Sequence, residues 1–152
     1  MEPNAQASAL RDIADRARGA VGADRCTIYE MDRATGEIFS RVAHGLAEGQ
    51  EIRLPLTRGV IGAVARTGRT LRLRDAYNDP RFDPAIDRLT GYRTRSILCV
   101  PVVDAQGEVH GAIQLINKLD GTFSEQDEET LGPLCREVRA ILAPPTGTAP
   151  SP

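Results

Sequence analysis

The chain has 152 residues, with 19 Lys plus Arg against 21 Asp plus Glu for a formal net charge of −2, and 41% of its residues are apolar. That size and apolar content suit one domain with its own core, and the even charge balance, free of like-charge blocks, disfavours nucleic acid and anionic lipid as partners. No run of about 18 apolar residues occurs, and the opening Met-Glu-Pro-Asn-Ala-Gln is neither basic nor apolar, so no membrane span or export signal is expected and the expected location is cytoplasmic.

Residues 1–7 read as a flexible lead-in. From there, Leu10, Ile13, Ala14, Ala17, Ala20 and Val21 recur at the three-and-four spacing of an amphipathic helix that should end between Gly19 and Gly22. Two β-rich runs, Cys26–Asp32 and Glu37–Ala43, flank the turn-like Ala34-Thr-Gly36 and predict a hairpin. A short extended piece, Glu51–Pro55, leads to a candidate helix that Gly59 opens and Gly68 closes. Thr70–Arg74 alternates like a strand. The irregular stretch Asp75–Pro84 follows, and its two Asp-Pro steps bias Asp79 and Asp83 away from helix. Such a stretch is long for a plain connection, which points to a binding loop or lid.

A second hairpin is predicted from Ser96–Val103 and Val109–Ile116 around Asp104-Ala-Gln-Gly107, with Pro101 calling for a bulge or an unpaired N–H. The last helix should start at Ser124, an N-cap with Asp127 three residues on, and bury Leu131, Leu134, Cys135, Val138, Ile141 and Leu142. Residues 143–152 carry too many prolines and too little apolar surface to fold, and are expected to be a disordered tail. The order of elements describes a mostly antiparallel sheet with helices packed on it.

Catalytic machinery is scarce. There are two histidines, His44 and His110, and no H-E-x-x-H, G-x-S-x-G, Walker loop or strand-borne G-x-G-x-x-G. Cys26, Cys99 and Cys135 lie far apart, with no C-x-x-C pair to hold a metal, and read as buried thiols in a reducing compartment. One piece has suggestive physics: at the start of the Gly59 helix, the free backbone N–H groups of Val60 and Ile61 would favour an anion. A tight turn into the helix explains Gly59 equally well. Asp87, Thr90 and Thr94 add hydrogen-bonding groups beside the lid, although each is also an ordinary turn or cap residue.

The segment Asn117-Lys118, then Phe123, then Asp127-Glu128 resembles the NKFDE signature of GAF domains found in cyclic nucleotide phosphodiesterases and certain adenylate cyclases. The resemblance runs through Arg58-Gly-x-x-Gly62, Asp75-Ala-Tyr, Thr90–Pro101 and Gly111–Lys118, and so covers roughly residues 8–142. It implies an α+β, GAF-like fold: a central, mostly antiparallel sheet of about six strands, terminal helices on one face, and a lid with short helices over a pocket on the other. It further implies a non-catalytic sensor that binds cyclic AMP or cyclic GMP, with cyclic AMP slightly ahead. No metal or further cofactor is implied.

Carried over residue by residue, the resemblance puts the Val60 and Ile61 N–H groups on the cyclic phosphate, Thr90 and Thr94 near phosphate or ribose, and Asp87 as an acceptor. Thr27, Ala43, His44 and Gln114 would meet the purine. Ala43 stands where relatives can carry a stacking aromatic ring, leaving His44 or Phe82 to supply that contact. Lys118 and Asp127 would pair and brace the pocket without touching ligand. The implied partners are the nucleotide, a second copy of the chain through the terminal helices, and an output domain. A ligand-free dimerisation module is the alternative. A free methionine sulfoxide reductase matches only in having three cysteines, none of them in the pocket loops.

Overall fold

Pro3 occupies the first turn of helix α1 (Pro3–Val21), where its missing N–H costs nothing and its fixed φ is already helical. The computed structural model, which describes residues 1–47 and 49–142, thus places residues 3–7 in the helix and not in the expected flexible lead-in. Two causes are visible. Ala5, Gln6, Ala7 and Ala9 are good helix formers, and Arg41 Nη2 donates to Gln6 Oε1 at 3.0 Å, tying the first turns to the sheet. The helix ends where expected, with Gly22 left-handed at φ +79° and its N–H donating to Arg18 O. The tail expected over 143–152 lies outside the described residues.

Strands β1 (Ala23–Asp32) and β2 (Glu37–Ala43) form the first hairpin. Strand β3 (Arg53–Pro55) adds to β2, and helix α2 (Gly59–Thr67) follows, closed by Gly68. Strand β4 (Leu71–Leu73) precedes the lid segment. That segment is more ordered than its composition suggests: a one-turn 3₁₀ helix spans Ala76–Asn78 and a short helix α3 spans Ala85–Thr90. Strands β5 (Ile97–Val103) and β6 (Val109–Lys118) make the second hairpin, and helix α4 (Glu125–Leu142) completes the order. Neighbouring strands are antiparallel in a six-stranded sheet ordered β3-β2-β1-β6-β5-β4. β4 stops pairing at Cys99, so β5 beyond it is an edge. Pro101 falls there, and the register shifts at Val102/Val103.

The two faces of the sheet carry separate cores because strand side chains alternate. Cys26 and Ile28 of β1, Leu98 and Val102 of β5, and Ile113 and Leu115 of β6 pack against α1 and α4 through Leu10, Ile13, Leu131 and Val138. Each fully buried Leu or Ile there contributes roughly 2 kcal/mol of transfer free energy. Tyr29, Ile38, Ile97, Cys99 and Ala112 point the other way, against Val60, Ile61 and Val64 of α2. Arg16 joins the terminal helices by donating to both carboxylate oxygens of Glu137, at 2.6 and 3.1 Å.

Ser124 and Asp127 exchange the expected bonds at the start of α4: the Ser124 N–H donates to Asp127 Oδ2 at 2.9 Å and the Asp127 N–H to Ser124 Oγ at 3.2 Å. Among the described residues, no helix is long and apolar enough to cross a membrane.

Candidate functional site

Between the α2 face of the sheet and the lid lies a cavity whose floor is one row of residues in lateral register. Ala43 of β2 stands opposite Thr27 of β1, and Thr27 stands opposite Gln114 of β6. Opposed residues share a face, so one methyl, one hydroxyl and one amide look into the same space. All three are buried and line the cavity with Tyr29, Ile97 and Ile116. The Tyr29 phenol is pushed up, chiefly by burial, and so stays neutral.

At one end of the cavity α2 begins. Gly59 adopts φ +74°, a conformation that L side chains avoid, and this sharp entry aims the helix start at the cavity. Gly59, Val60 and Ile61 line it, and among the described residues their N–H groups have no acceptor, as the first turn of a helix leaves them. The macrodipole adds a partial positive charge at that end.

The lid forms the roof, and three expected contact residues are turned to internal duty there. Thr94 Oγ1 donates to Asp87 Oδ1 at 2.7 Å, while Asp87 Oδ2 accepts from the Thr94 N–H and from the Tyr77 hydroxyl, each at 2.7 Å. Thr90 Oγ1 donates to Ile86 O at 2.9 Å. A hydroxyl has one proton to give. In this arrangement Thr90 and Thr94 therefore donate to the protein and not to a phosphate, and Asp87, buried at 7% exposure, pins the lid to the segment entering β5.

His44 also departs from expectation. The Cys26 N–H donates to its Nδ1 at 2.9 Å, which leaves the proton on Nε2 to donate to Asp15 Oδ1 at 2.8 Å. With both ring nitrogens engaged by β1 and α1, His44 lines the cavity without a free group for a base edge. Phe82, the other candidate for stacking, lines the cavity and packs on Tyr77 at 5.0 Å between ring centroids.

Two residues that the sequence reading passed over stand at the mouth. The Arg25 guanidinium lies over the Tyr92 ring at 3.7 Å, an attraction of roughly 0.5–1 kcal/mol where partly exposed. Its other side meets Gly45, where a Cβ would overlap the guanidinium and φ is +90°. A usable signal existed: Arg25 is two residues before Thr27 on one strand, and strand residues two apart share a face.

The residues of the Asn117–Glu128 segment sit behind the cavity. Asn117 Oδ1 accepts from the N–H groups of Arg95 and Ser96 at 2.6 and 3.1 Å, and its Nδ2 donates to Tyr92 Oη and Arg93 O. Lys118 Nζ donates to Val21 O at 2.5 Å and to Asp127 Oδ1 at 3.1 Å, so one ammonium joins the end of α1, the end of β6 and the start of α4. Phe123 is buried in the core under the terminal helices, and Glu128 pairs with Arg72 of β4 at 2.5 Å.

The thiols are held away from reactive states. Burial pushes Cys26 and Cys135 up to about 12 and raises Cys99 further. None of the three lines the cavity.

A family model for the GAF domain matches residues 7–142. The chain is 38% identical over 120 residues to the probable 3',5'-cyclic phosphodiesterase pde-5 of Caenorhabditis elegans, covering 72% of this chain but 16% of that much longer protein. The GAF domain from a phosphoenolpyruvate-protein phosphotransferase of Coxiella burnetii superposes with a TM-score of 0.80 at 25% identity, over 91% of this chain and 82% of that one. A type II free methionine-R-sulfoxide reductase from Thermoplasma acidophilum gives 0.76 at 17% identity, over 92% and 94% of the two chains, a likeness of fold alone.

Proposed function

The chain belongs to the GAF domain family, and from that premise we propose that it is a non-catalytic regulatory domain that binds a cyclic nucleotide. One observation carries the reading: the Ala43–Thr27–Gln114 floor and the start of α2 face the same cavity. A purine edge needs donors and acceptors, which Thr27 and Gln114 offer. A cyclic phosphate needs N–H donors, which Gly59, Val60 and Ile61 offer without competition from other described residues. The similarity to a probable cyclic phosphodiesterase supports the same ligand class.

Within that class we order cyclic AMP slightly before cyclic GMP on the resemblance to the GAF domains of adenylate cyclases; the Thr27 hydroxyl and the Gln114 amide each donate and accept, and so complement either purine edge. Lys118, Asp127 and Asn117 brace the site and touch no ligand. The protein's response is a shift between lid states: a nucleotide that prefers one of them biases α1 and α4, which a second copy or an output domain reads. The raised thiols, two of them buried and none lining the cavity, set this reading above a thiol-based reductase.

Displacement of a fluorescent cyclic AMP analogue by cyclic AMP and by cyclic GMP tests the proposal, together with mass spectrometry of nucleotide released from purified protein. Gln114→Ala and Thr27→Ala should each weaken the better nucleotide by about 1–3 kcal/mol, the cost of an unmet polar edge. Unchanged affinity in both variants would remove the base from this floor.

A further inference from the structure

The cavity rim beside α2 carries a carboxylate at the end where the proposed ligand brings its anion. Arg58 Nε donates to Asp83 Oδ2 at 2.8 Å, and Nη2 donates to the same oxygen. Asp83 lines the cavity, whereas Arg58 is not among its lining residues. The carboxylate therefore stands between the guanidinium and the space a ligand would fill.

Asp83 is fixed from both sides. Its Oδ1 accepts the Ala85 N–H at 3.0 Å at the start of α3, and a Cβ built on Gly59 would lie 3.7 Å from Asp83 Cβ, so the lid rides on the first residue of α2. Burial tends to raise this carboxyl, but the Ala85 N–H and the Arg58 guanidinium outweigh it and hold the group below the usual carboxylate range. It is an anion at neutral pH. The second lining carboxylate, Asp87, already accepts three hydrogen bonds, from the Tyr77 hydroxyl and from the N–H and hydroxyl of Thr94. Arg58 is the one residue that forms a salt bridge with Asp83 among the described residues, while Arg88 adds a weaker attraction from a distance.

We propose that the Asp83–Arg58 pair is an intrinsic latch: the lid carboxylate occupies the guanidinium that a ligand's phosphate would otherwise engage, and ligand entry passes Arg58 from Asp83 to the phosphate. The proposal rests on the cyclic-nucleotide reading and adds its control. Parting the pair removes the ion-pair tie between the lid and α2, so lid opening is coupled to the charge of the ligand. A neutral nucleoside of the same base has no means of taking Arg58 and leaves the latch shut.

Asp83→Asn tests the latch, because the Asn carbonyl still accepts the Ala85 N–H while the charge is gone. Wild type, Asp83→Asn and Arg58→Gln/Asp83→Asn are each titrated with cyclic AMP, cyclic GMP and adenosine at low and high salt. Asp83→Asn is expected to bind the preferred cyclic nucleotide roughly five- to fiftyfold more tightly than wild type, with the gain shrinking at high salt. The gain should vanish in the double variant, and adenosine should show none. Binding that Asp83→Asn leaves unchanged or weakens, or a gain that survives loss of Arg58, overturns the latch while the nucleotide reading stands. Absence of cyclic-nucleotide binding by all three proteins overturns both.

Discussion

Asn117 is the one non-glycine residue among those described with a left-handed backbone, at φ 62°, and its four side-chain bonds explain why it is not glycine. It holds the chain from Tyr92 to Ser96 against the end of β6 from a position 2% exposed. Asn117→Gly keeps the backbone and loses the bonds, while Asn117→Ala loses both. We expect the alanine variant to cost about 2–4 kcal/mol and the glycine variant less, by chemical denaturation. Equal losses would show that the backbone conformation is unstrained. The sequence showed Thr94 and Asp87 as polar residues beside the lid and Asn117 as part of a family signature, but not that Thr94 and Asp87 bond each other, since a residue's nearest acceptor is set by how the lid folds. Gly59 was legible through helix-start chemistry; Arg25 was overlooked, although strand alternation with Thr27 carried its signal. The engagement of His44 with Asp15 was not, because it joins residues 29 apart in sequence across two elements.

At the scale of elements, both hairpins, α2 between its glycines and the Ser124 start of α4 followed directly from periodicity and turn chemistry. The lid did not, because α3 has six residues and is held by tertiary bonds that no local pattern announces. The start of α1 was missed for a related reason: residues 3–7 bury little, so the apolar stripe that marked the helix from Leu10 is silent there. Lys118 is the clearest joint between elements, with its side chain 16% and that of Asp127 11% exposed. Lys118→Ala would strand a shielded carboxylate and the Val21 carbonyl, and should destabilise the fold by about 2–4 kcal/mol while leaving the cavity floor in place. Thermal denaturation beside a nucleotide titration separates the two effects. Unchanged stability would deny the residue its bracing role.

Across the whole molecule, the thiols set a clear pH dependence. Burial pushes folded Cys26 and Cys135 up to about 12, above the ordinary thiol value of about 9. The unfolded chain therefore releases protons first as pH rises. The stability these thiols contribute is fully present below about 9 and is lost progressively between there and about 12. Cys26 and Cys99 of native protein at pH 8 should accordingly react with a thiol reagent far more slowly than in unfolded protein, and their rapid labelling would contradict their burial, whereas Cys135 is only partly buried. On the acid side, Asp32, Asp104 and Glu137 are held low by Arg53, His110 and Arg16 respectively, each against a smaller opposing desolvation. Their support is present above the ordinary carboxylate range and fades as pH falls through their lowered values.

What enters the cavity between lid and sheet is tested by titration calorimetry with cyclic AMP and with cyclic GMP. Saturable heat at one site per chain is expected for at least one of the two. No heat from either nucleotide at millimolar concentration would contradict cyclic-nucleotide binding.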